Sequence, residues 1–467
     1  MSAVAKKYMG HFFSRAEVSK ILLLAAPMTG TALVNMGMSI TDTVMMGWLG
    51  TQSLAAGAVV SDLYSIVFYF MSGILATVAA IMAQAMGRND KRGVHDAMRD
   101  GFQAAFILAI PAFLIVWNMD LVLGAFGIEA GVVTLGNEYA RMMAFTTVAM
   151  LGVAVWRNVF AAFSKPRVFL IMVAVALPAN GLLNYVLMFG HFGAPEMGLA
   201  GAGLSSALVA FAMLVAFMIY ADRDRVISGY HPFHRIWRVK VEGLAEIFRL
   251  GVPSGFATLG NVGIYLISTP IISLFGAEAL AAHAIALRLA GVFYAIPVGL
   301  SQAATVRVGY AAGRGDDIGV GQIKRTAVAM AAVSGMACLG VLAVSSSFLP
   351  HLFLLEGAGA STALASTLIV YLGVINAAEY PNVVAGGVLR GLKDTRVPMV
   401  LTLAGYWGVG APVMALMASG AGFGAEGVWF GLAVGVYATA SLMLGRLFVP
   451  NFTKSVLKPE PVAVAAE

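Results

Sequence analysis

Two acidic residues lie within long apolar stretches of the sequence, Asp42 in the N-terminal half and Glu379 in the C-terminal half. A carboxylate in a medium of low dielectric either finds partners or takes up a proton. When ionised it can hold Na+ or the cationic group of an organic substrate, so both residues are predicted to bind an ion or a substrate. The structural alternatives are a helix-end position at the membrane interface for Asp42 and an ion pair with Arg288 or Arg157 for Glu379.

Two asparagines complete this set of candidates. Asn180 and Asn184 are spaced i, i+4, so on a helix both side chains point from one face. They are predicted either to hydrogen-bond a protonated Asp42 or to coordinate a cation, with hydrogen bonding between helices as the structural alternative. A bound metal ion would be Na+, held by Asp42 and these two amides or by Glu379. Ser206 is a weaker candidate for the same site.

The composition requires lipid around most of the chain. Of its 467 residues, 60% are hydrophobic and 11% are charged, whereas soluble domains carry about 25% charged residues. A membrane-crossing helix takes about 20 to 25 residues, so twelve crossings use about 240 to 300 residues and leave short loops. Outer-membrane barrels are excluded, because their strands are alternating segments of about 10 residues and the apolar runs here are long and unbroken.

The distribution of basic residues predicts the orientation. The predicted outer loops near 47–55, 119–138, 191–197, 275–280, 350–360 and 419–425 contain no Lys or Arg. Basic residues lie in the segments between these and near both ends of the chain, so both termini are predicted to be cytoplasmic. We expect a multi-pass protein of a bacterial inner membrane. The net charge of +6 then reports orientation and not a nucleic-acid partner, and the single Cys338 excludes an internal disulfide.

The sequence also repeats itself. When the second half is aligned on the first at a fixed offset, Gly87–Asp90 falls on Gly313–Asp316. From the fourth span of each half the offset is slightly larger, so that Gly198 falls on Gly427. This repeat predicts an all-α membrane fold with twelve transmembrane helices in two parallel-repeat six-helix bundles. The predicted parts are an N-terminal bundle at 1–222, a cytoplasmic linker at 223–245, and a C-terminal bundle with a short cytoplasmic tail at 246–467.

The repeat indicates that the two halves differ chemically. Asn180 and Asn184 fall on Val409 and Val413, so the N-terminal bundle is the better candidate for an ion-linked site. Asn261 falls on Asn35, which makes a shared packing role the alternative to a binding role for Asn261.

The sequence favours secondary transport. It has no G-x-x-x-x-G-K run followed by Ser or Thr, and too little sequence remains outside the spans for a nucleotide-binding domain. Neither an enzyme nor a cofactor other than a coupling ion is expected. Two parallel bundles enclose a central cleft, and alternating access follows when one bundle rocks against the other.

Several motifs occur together along the chain. They are Asp42–Gly47 after Pro27, Phe192–Gly198, Ala281–His283 before Arg307–Gly309, and Val384–Asp394. In combination they resemble the multidrug and toxic compound extrusion (MATE) family, and in particular its bacterial NorM-like branch. The resemblance covers the chain from about Arg15 to Phe448.

This resemblance implies a twelve-helix antiporter that exports cationic, lipophilic drugs in exchange for Na+ or H+. The family's first-helix acid falls on Asp42, its tenth-helix acid on Glu379, and its N-lobe polar cluster on Asn180, Asn184 and Ser206. Asn261 stands where NorM-like relatives tend to have an acidic residue in the seventh helix. This difference favours proton coupling through Asp42.

We therefore expect a monomeric multidrug efflux antiporter that works by alternating access. Its expected partners are small organic cations, H+ or Na+, and the lipid bilayer. The leading alternative is a lipid-linked oligosaccharide flippase of the same fold group, which would need arginines in its cleft for an anionic carrier. Another secondary transporter, such as a major-facilitator protein, is a further alternative, whereas a scaffold or receptor would not need two acids buried among amides.

Overall fold

Helices form nearly all of the described chain. The computed structural model describes residues 15–125, 129–234, 237–353 and 359–448, and these contain no strand. Twelve of their helices are long and apolar enough to cross a membrane, which confirms the predicted fold class. They are α1 (Arg15–Trp48), α2 (Thr51–Gly87), α3 (Lys91–Trp117), α4 (Ala130–Ala162), α5 (Pro166–Phe189), α6 (Gly198–Arg223), α7 (Val241–Ser273), α8 (Ala277–Gly313), α9 (Asp317–Ser345), α10 (Ser361–Gly391), α11 (Arg396–Gly420) and α12 (Gly424–Phe448).

Several helices are longer than the apolar segments of the sequence that predict them. The 34 residues of α1 correspond to about 51 Å of helix, whereas the hydrocarbon layer is about 30 Å thick. The polar end of such a helix therefore extends past the hydrocarbon. Helix α7 begins at Val241, and Glu242 in its first turn suits the positive end of the helix dipole. The segment between α6 and α7 is consequently shorter than the predicted linker at 223–245.

Equivalent turns of the two halves are capped in the same way. At the start of α3 the Asp90 carboxylate accepts a hydrogen bond from the backbone N–H of Gly93 at 2.9 Å. At the start of α9 the Asp316 carboxylate accepts one from Gly319 at 2.8 Å. Such a cap satisfies an N–H group that has no partner within the helix. The repeat thus relates local structure as well as sequence.

We call the side of the molecule at which the odd-numbered helices begin the basic face. Basic residues that lie there include Arg15, Lys91, Arg167 and Arg396. The even-numbered helices begin at the other side, which we call the opposite face.

The two halves meet closely at the basic face, where α2 crosses α8 without intervening side chains. A β-carbon on Gly87 would collide with the carbonyl oxygen of Tyr310, and one on Gly313 would collide with that of Gln84. The Gln84 side chain also donates a hydrogen bond to the carbonyl oxygen of Gly391 at 2.9 Å. Both glycines are therefore required for the close approach of the two helices.

Polar contacts also join the two halves at the basic face. Near the basic face an ion pair between Glu17 and Arg307 joins α1 to α8. Farther from the basic face, Asp62 of α2 and Arg288 of α8 are exposed. The two helix bundles are thus held together by side-chain contacts near the basic face.

Candidate functional site

The N-terminal half brings three of the predicted site residues together. The side-chain amides of Asn180 and Asn184 on α5 each donate a hydrogen bond to Oδ1 of Asp42 on α1, both at 2.6 Å. The i, i+4 spacing places both amides on one face of α5, and both asparagines are fully buried. Asp42 is therefore part of a side-chain network and is more than a residue at a helix end, although its role in binding stays a prediction.

The oxygens of the two amides lack partners. Oδ1 of Asn180 and Oδ1 of Asn184 are buried, and no described residue donates a hydrogen bond to them. An unsatisfied buried acceptor costs about 1–3 kcal/mol. When an amide turns over about its last side-chain bond, its oxygen faces Asp42 instead of its nitrogen. Two oxygens in contact need a cation or a carboxyl proton between them, so this cluster is suited to take up either.

A serine next to the predicted one contacts this cluster. Ser205 is fully buried, and its hydroxyl donates to the backbone carbonyl of Asn180 at 3.2 Å. Among the described residues no hydrogen bond joins Ser206 to Asp42 or to the two asparagines. Adjacent residues of a helix point about 100° apart, so only one of the two serines can face α5.

The C-terminal half contains a second buried carboxylate. Glu379 on α10 is 1% exposed. The Tyr406 hydroxyl on α11 donates to its Oε2 at 2.6 Å, and the Asn261 amide on α7 donates to its Oε1 at 2.8 Å. No Lys or Arg of the described residues lies within 4 Å of this carboxylate, which argues against the structural ion pair with Arg288 or Arg157.

Further oxygen atoms surround Glu379. The Asn382 amide donates to the Tyr406 hydroxyl at 3.1 Å and lies 3.5 Å from Oε2 of Glu379. The Tyr294 hydroxyl donates to Oδ1 of Asn261 at 3.3 Å. The cluster therefore combines one carboxylate with two amides and two phenols from α7, α8, α10 and α11. Within the described ranges no three His, Cys, Asp or Glu side chains form a metal site, so a cation here would depend on amide and hydroxyl oxygens.

Sequence reasoning did not place Tyr294, Asn382 or Tyr406 next to Glu379. Asn382 follows Glu379 by three positions on the same helix, and this i, i+3 spacing is a signal that the sequence contains. Tyr406 lies in a π-helical segment of α11, Ala404–Gly410, and such segments occur frequently at functional sites. Its contact with Glu379 depends on how α11 packs on α10, which no local pattern reveals.

The position equivalent to Asp42 in the C-terminal half is occupied by Ser268. Close to Ser268, the uncharged side chain of His283 takes part in a network of hydrogen bonds. The Trp429 indole N–H donates to its Nδ1 at 3.1 Å, and its Nε2 lies 3.1 Å from the Thr269 hydroxyl. Because an indole can only donate, Nδ1 of His283 is an acceptor and the ring is neutral. The two halves thus place their carboxylates on different helices.

Comparison with known proteins gives matches over most of the chain. The MatE family model matches residues 27–186 and 253–416, one segment in each half. The relative named "Probable multidrug resistance protein NorM" from Mesorhizobium japonicum is 35% identical over 441 residues, which cover 92% of this chain and 94% of the relative. A protein of the same name from Agrobacterium fabrum is 35% identical over 448 residues, with coverage of 94% and 95%.

Solved structures share this fold at lower sequence identity. The crystal structure of the eukaryotic MATE transporter AtDTX14 matches with a TM-score of 0.84 at 20% identity and covers 94% of this chain and 97% of its own. An outward-facing conformation of a multidrug resistance MATE family transporter matches with a TM-score of 0.83 at 18% identity and covers 94% and 96%.

Proposed function

Since the chain belongs to the MATE family of transporters, we propose that it is an antiporter that exports cationic lipophilic compounds in exchange for H+ or Na+. It is a multi-pass membrane transporter of the multidrug efflux type and not an enzyme. The observation that carries the proposal is the carboxylate of Asp42, which two amides hold and no basic side chain of the described residues neutralises.

A carboxylate of this kind can serve ion and substrate in turn. The negative charge of Asp42 attracts an organic cation from the cleft, and a proton or Na+ at the same carboxylate removes or compensates that charge. Because both ligands need the same group, they compete, and the binding of one promotes release of the other. The amides of Asn180 and Asn184 can turn to follow this change, since each can present either a donor or an acceptor.

The coupling ion that we favour is H+. Na+ prefers several oxygen ligands including carboxylates, and Asn261 supplies an amide near Glu379 where a second acid would strengthen such a site. At Asp42 a proton needs only the carboxylate and one amide oxygen as its acceptor. Glu379 then has a supporting role in the C-terminal half.

The cycle that we propose alternates between closure at the two faces. With the cleft open towards the opposite face, substrate leaves and the coupling ion enters at Asp42. Opening at the basic face then requires separation of the Glu17–Arg307 ion pair and of the Gln84–Gly391 hydrogen bond. We assign the basic face to the cytoplasm, so that both termini are cytoplasmic in a bacterial inner membrane, and propose that the monomer is the working unit.

A lipid-linked oligosaccharide flippase is the alternative function. It would need cationic side chains for an anionic carrier, and Arg288 of α8 is an exposed arginine. The groups that surround Asp42 and Glu379 are amides and hydroxyls, which favours cationic substrates over anionic ones.

Dye efflux from cells distinguishes these functions. Cells that express the protein are loaded with ethidium, a cation, or with calcein, an anion, and efflux is followed by fluorescence after energisation. We expect faster efflux of ethidium than in cells with an empty vector, and no difference for calcein. Unchanged ethidium efflux with correctly inserted protein would contradict export of cations and turn attention to anionic substrates.

A further inference from the structure

A groove lies between α1 and α5 on the outer surface of the N-terminal half, near the basic face. Its walls are apolar and open to the membrane. Leu22 is 47% exposed and Leu23 is 53% exposed on α1, and Ile171 is 62% exposed on α5. The two helices come together beyond the groove, where the Leu170 side chain packs so closely on Gly30 that a β-carbon there would lie 3.1 Å from Leu170 Cδ2. The groove thus has an open end at the basic face and a closed end within the membrane.

Two guanidinium groups flank the open end. Arg15 lies at the start of α1 and Arg167 at the start of α5, and both are exposed. Neither forms a hydrogen bond or an ion pair with another residue in the described part of the chain. Val241 occupies the position in the C-terminal half that is equivalent to Arg15. The C-terminal half therefore lacks one arginine of this pair.

The dimensions of the groove match one leaflet of a bilayer. From Arg15 to Pro27, the last residue of α1 that lines it, α1 rises about 18 Å. Half of the hydrocarbon layer is about 15 Å. A lipid whose headgroup lies at the level of Arg15 can therefore extend an acyl chain along the groove to its closed end.

We propose that this groove is a binding site for an anionic phospholipid, with the phosphate between Arg15 and Arg167 and one acyl chain against the apolar walls. Guanidinium groups bind phosphate oxygens through paired, charge-assisted hydrogen bonds. Basic residues next to a membrane segment attract anionic headgroups. The apolar walls select a lipid over a free phosphate ion, because a free ion leaves the groove unfilled. This site is separate from Asp42 and does not depend on the transported substrate.

Native mass spectrometry of the purified protein with dioleoylphosphatidylglycerol or dioleoylphosphatidylcholine tests the proposal. We expect retention of phosphatidylglycerol in preference to phosphatidylcholine. The double variant Arg15→Gln/Arg167→Gln should bind phosphatidylglycerol about tenfold more weakly, since two charge-assisted contacts are lost. The matched control Arg223→Gln/Arg225→Gln removes the same charge from the basic face outside the groove and should bind as the wild type does.

A second variant tests the apolar part of the site. Ala26 lines the groove and is exposed, so the ring of Ala26→Phe fills the space of the acyl chain without entering the core. We expect weaker lipid retention although both arginines remain, and no displacement of the lipid by inorganic phosphate. The proposal would be overturned if the wild type retained both lipids equally or if the Arg223/Arg225 control lost as much binding as the double variant. It would also be overturned if Ala26→Phe retained lipid as the wild type does or if inorganic phosphate displaced the lipid.

Discussion

Asp62 of α2 and Arg288 of α8 occupy equivalent positions in the two halves and carry opposite charges. Both side chains are exposed, and no ion pair within 4 Å joins them in the described structure. If the halves rock so that the opposite face closes, we expect these two side chains to approach one another.

This relationship predicts a defined charge dependence. Asp62→Arg should slow transport, because two cations then oppose closure of the cleft. The exchanged pair Asp62→Arg/Arg288→Asp should restore transport in part, since opposite charges again face each other. Ethidium efflux from cells measures both variants. A double variant that is no better than Asp62→Arg alone would show that the two residues act independently.

The amides that hold Asp42 are expected to matter individually. Asn184→Leu removes one donor to the carboxylate while it keeps a similar volume, and a hydrogen bond to a charged group contributes about 1.5–3 kcal/mol. We expect about a tenfold loss or more in transport rate at low substrate. Asn376→Leu removes a buried amide that contacts the Cys338 thiol and should leave transport nearly unchanged. Equal losses in both variants would point to general destabilisation.

The Glu379 cluster is expected to affect stability more than transport. Tyr406→Phe deletes the 2.6 Å hydrogen bond to Oε2 of Glu379 and should lower the free energy of unfolding by about 1.5–3 kcal/mol. Thermal unfolding in detergent reports this as a lower Tm. In transport assays Glu379→Ala should impair efflux less than Asp42→Ala does. A larger effect of Glu379→Ala would place the main coupling site in the C-terminal half.

Closure at the basic face depends on the crossing of α2 and α8. Gly313→Ala puts a methyl group against the Gln84 carbonyl, so this variant should favour opening at the basic face and lose transport. The control Gly321→Ala adds a methyl group in open space on α9. With Ala80→Cys in a Cys338→Ser background, thiol labelling from the basic face should rise in Gly313→Ala only. Unchanged labelling would contradict the closing role of this crossing.

Much of the fold follows from the sequence alone. The apolar spans, which alternate between basic loops and loops without Lys or Arg, predict twelve helices. The internal repeat aligns Gly87–Asp90 with Gly313–Asp316, and the structure shows an equivalent helix cap at Asp90 and at Asp316. Helix α7 begins at Val241, a few positions before the apolar segment from which the sequence predicts this span, because hydropathy does not register the polar first turn of a helix.

The sequence predicts the part of the candidate site that depends on the spacing of residues along one helix. The i, i+4 pair Asn180 and Asn184 does reach Asp42. The choice between Ser205 and Ser206 requires the rotation of α6 about its axis, which sequence does not provide. Tyr406 and Glu379 lie on different helices, so their contact depends on tertiary packing.

The most direct test of the account is transport by the purified protein in liposomes. Uptake of tetraphenylphosphonium is measured under an imposed H+ gradient or Na+ gradient, for the wild type, Asp42→Asn and the control Glu278→Gln, an exposed acid at the opposite face. We predict uptake driven by the H+ gradient in the wild type and in Glu278→Gln, and none in Asp42→Asn. Gradient-driven uptake by Asp42→Asn at the wild-type rate would contradict the central role of Asp42.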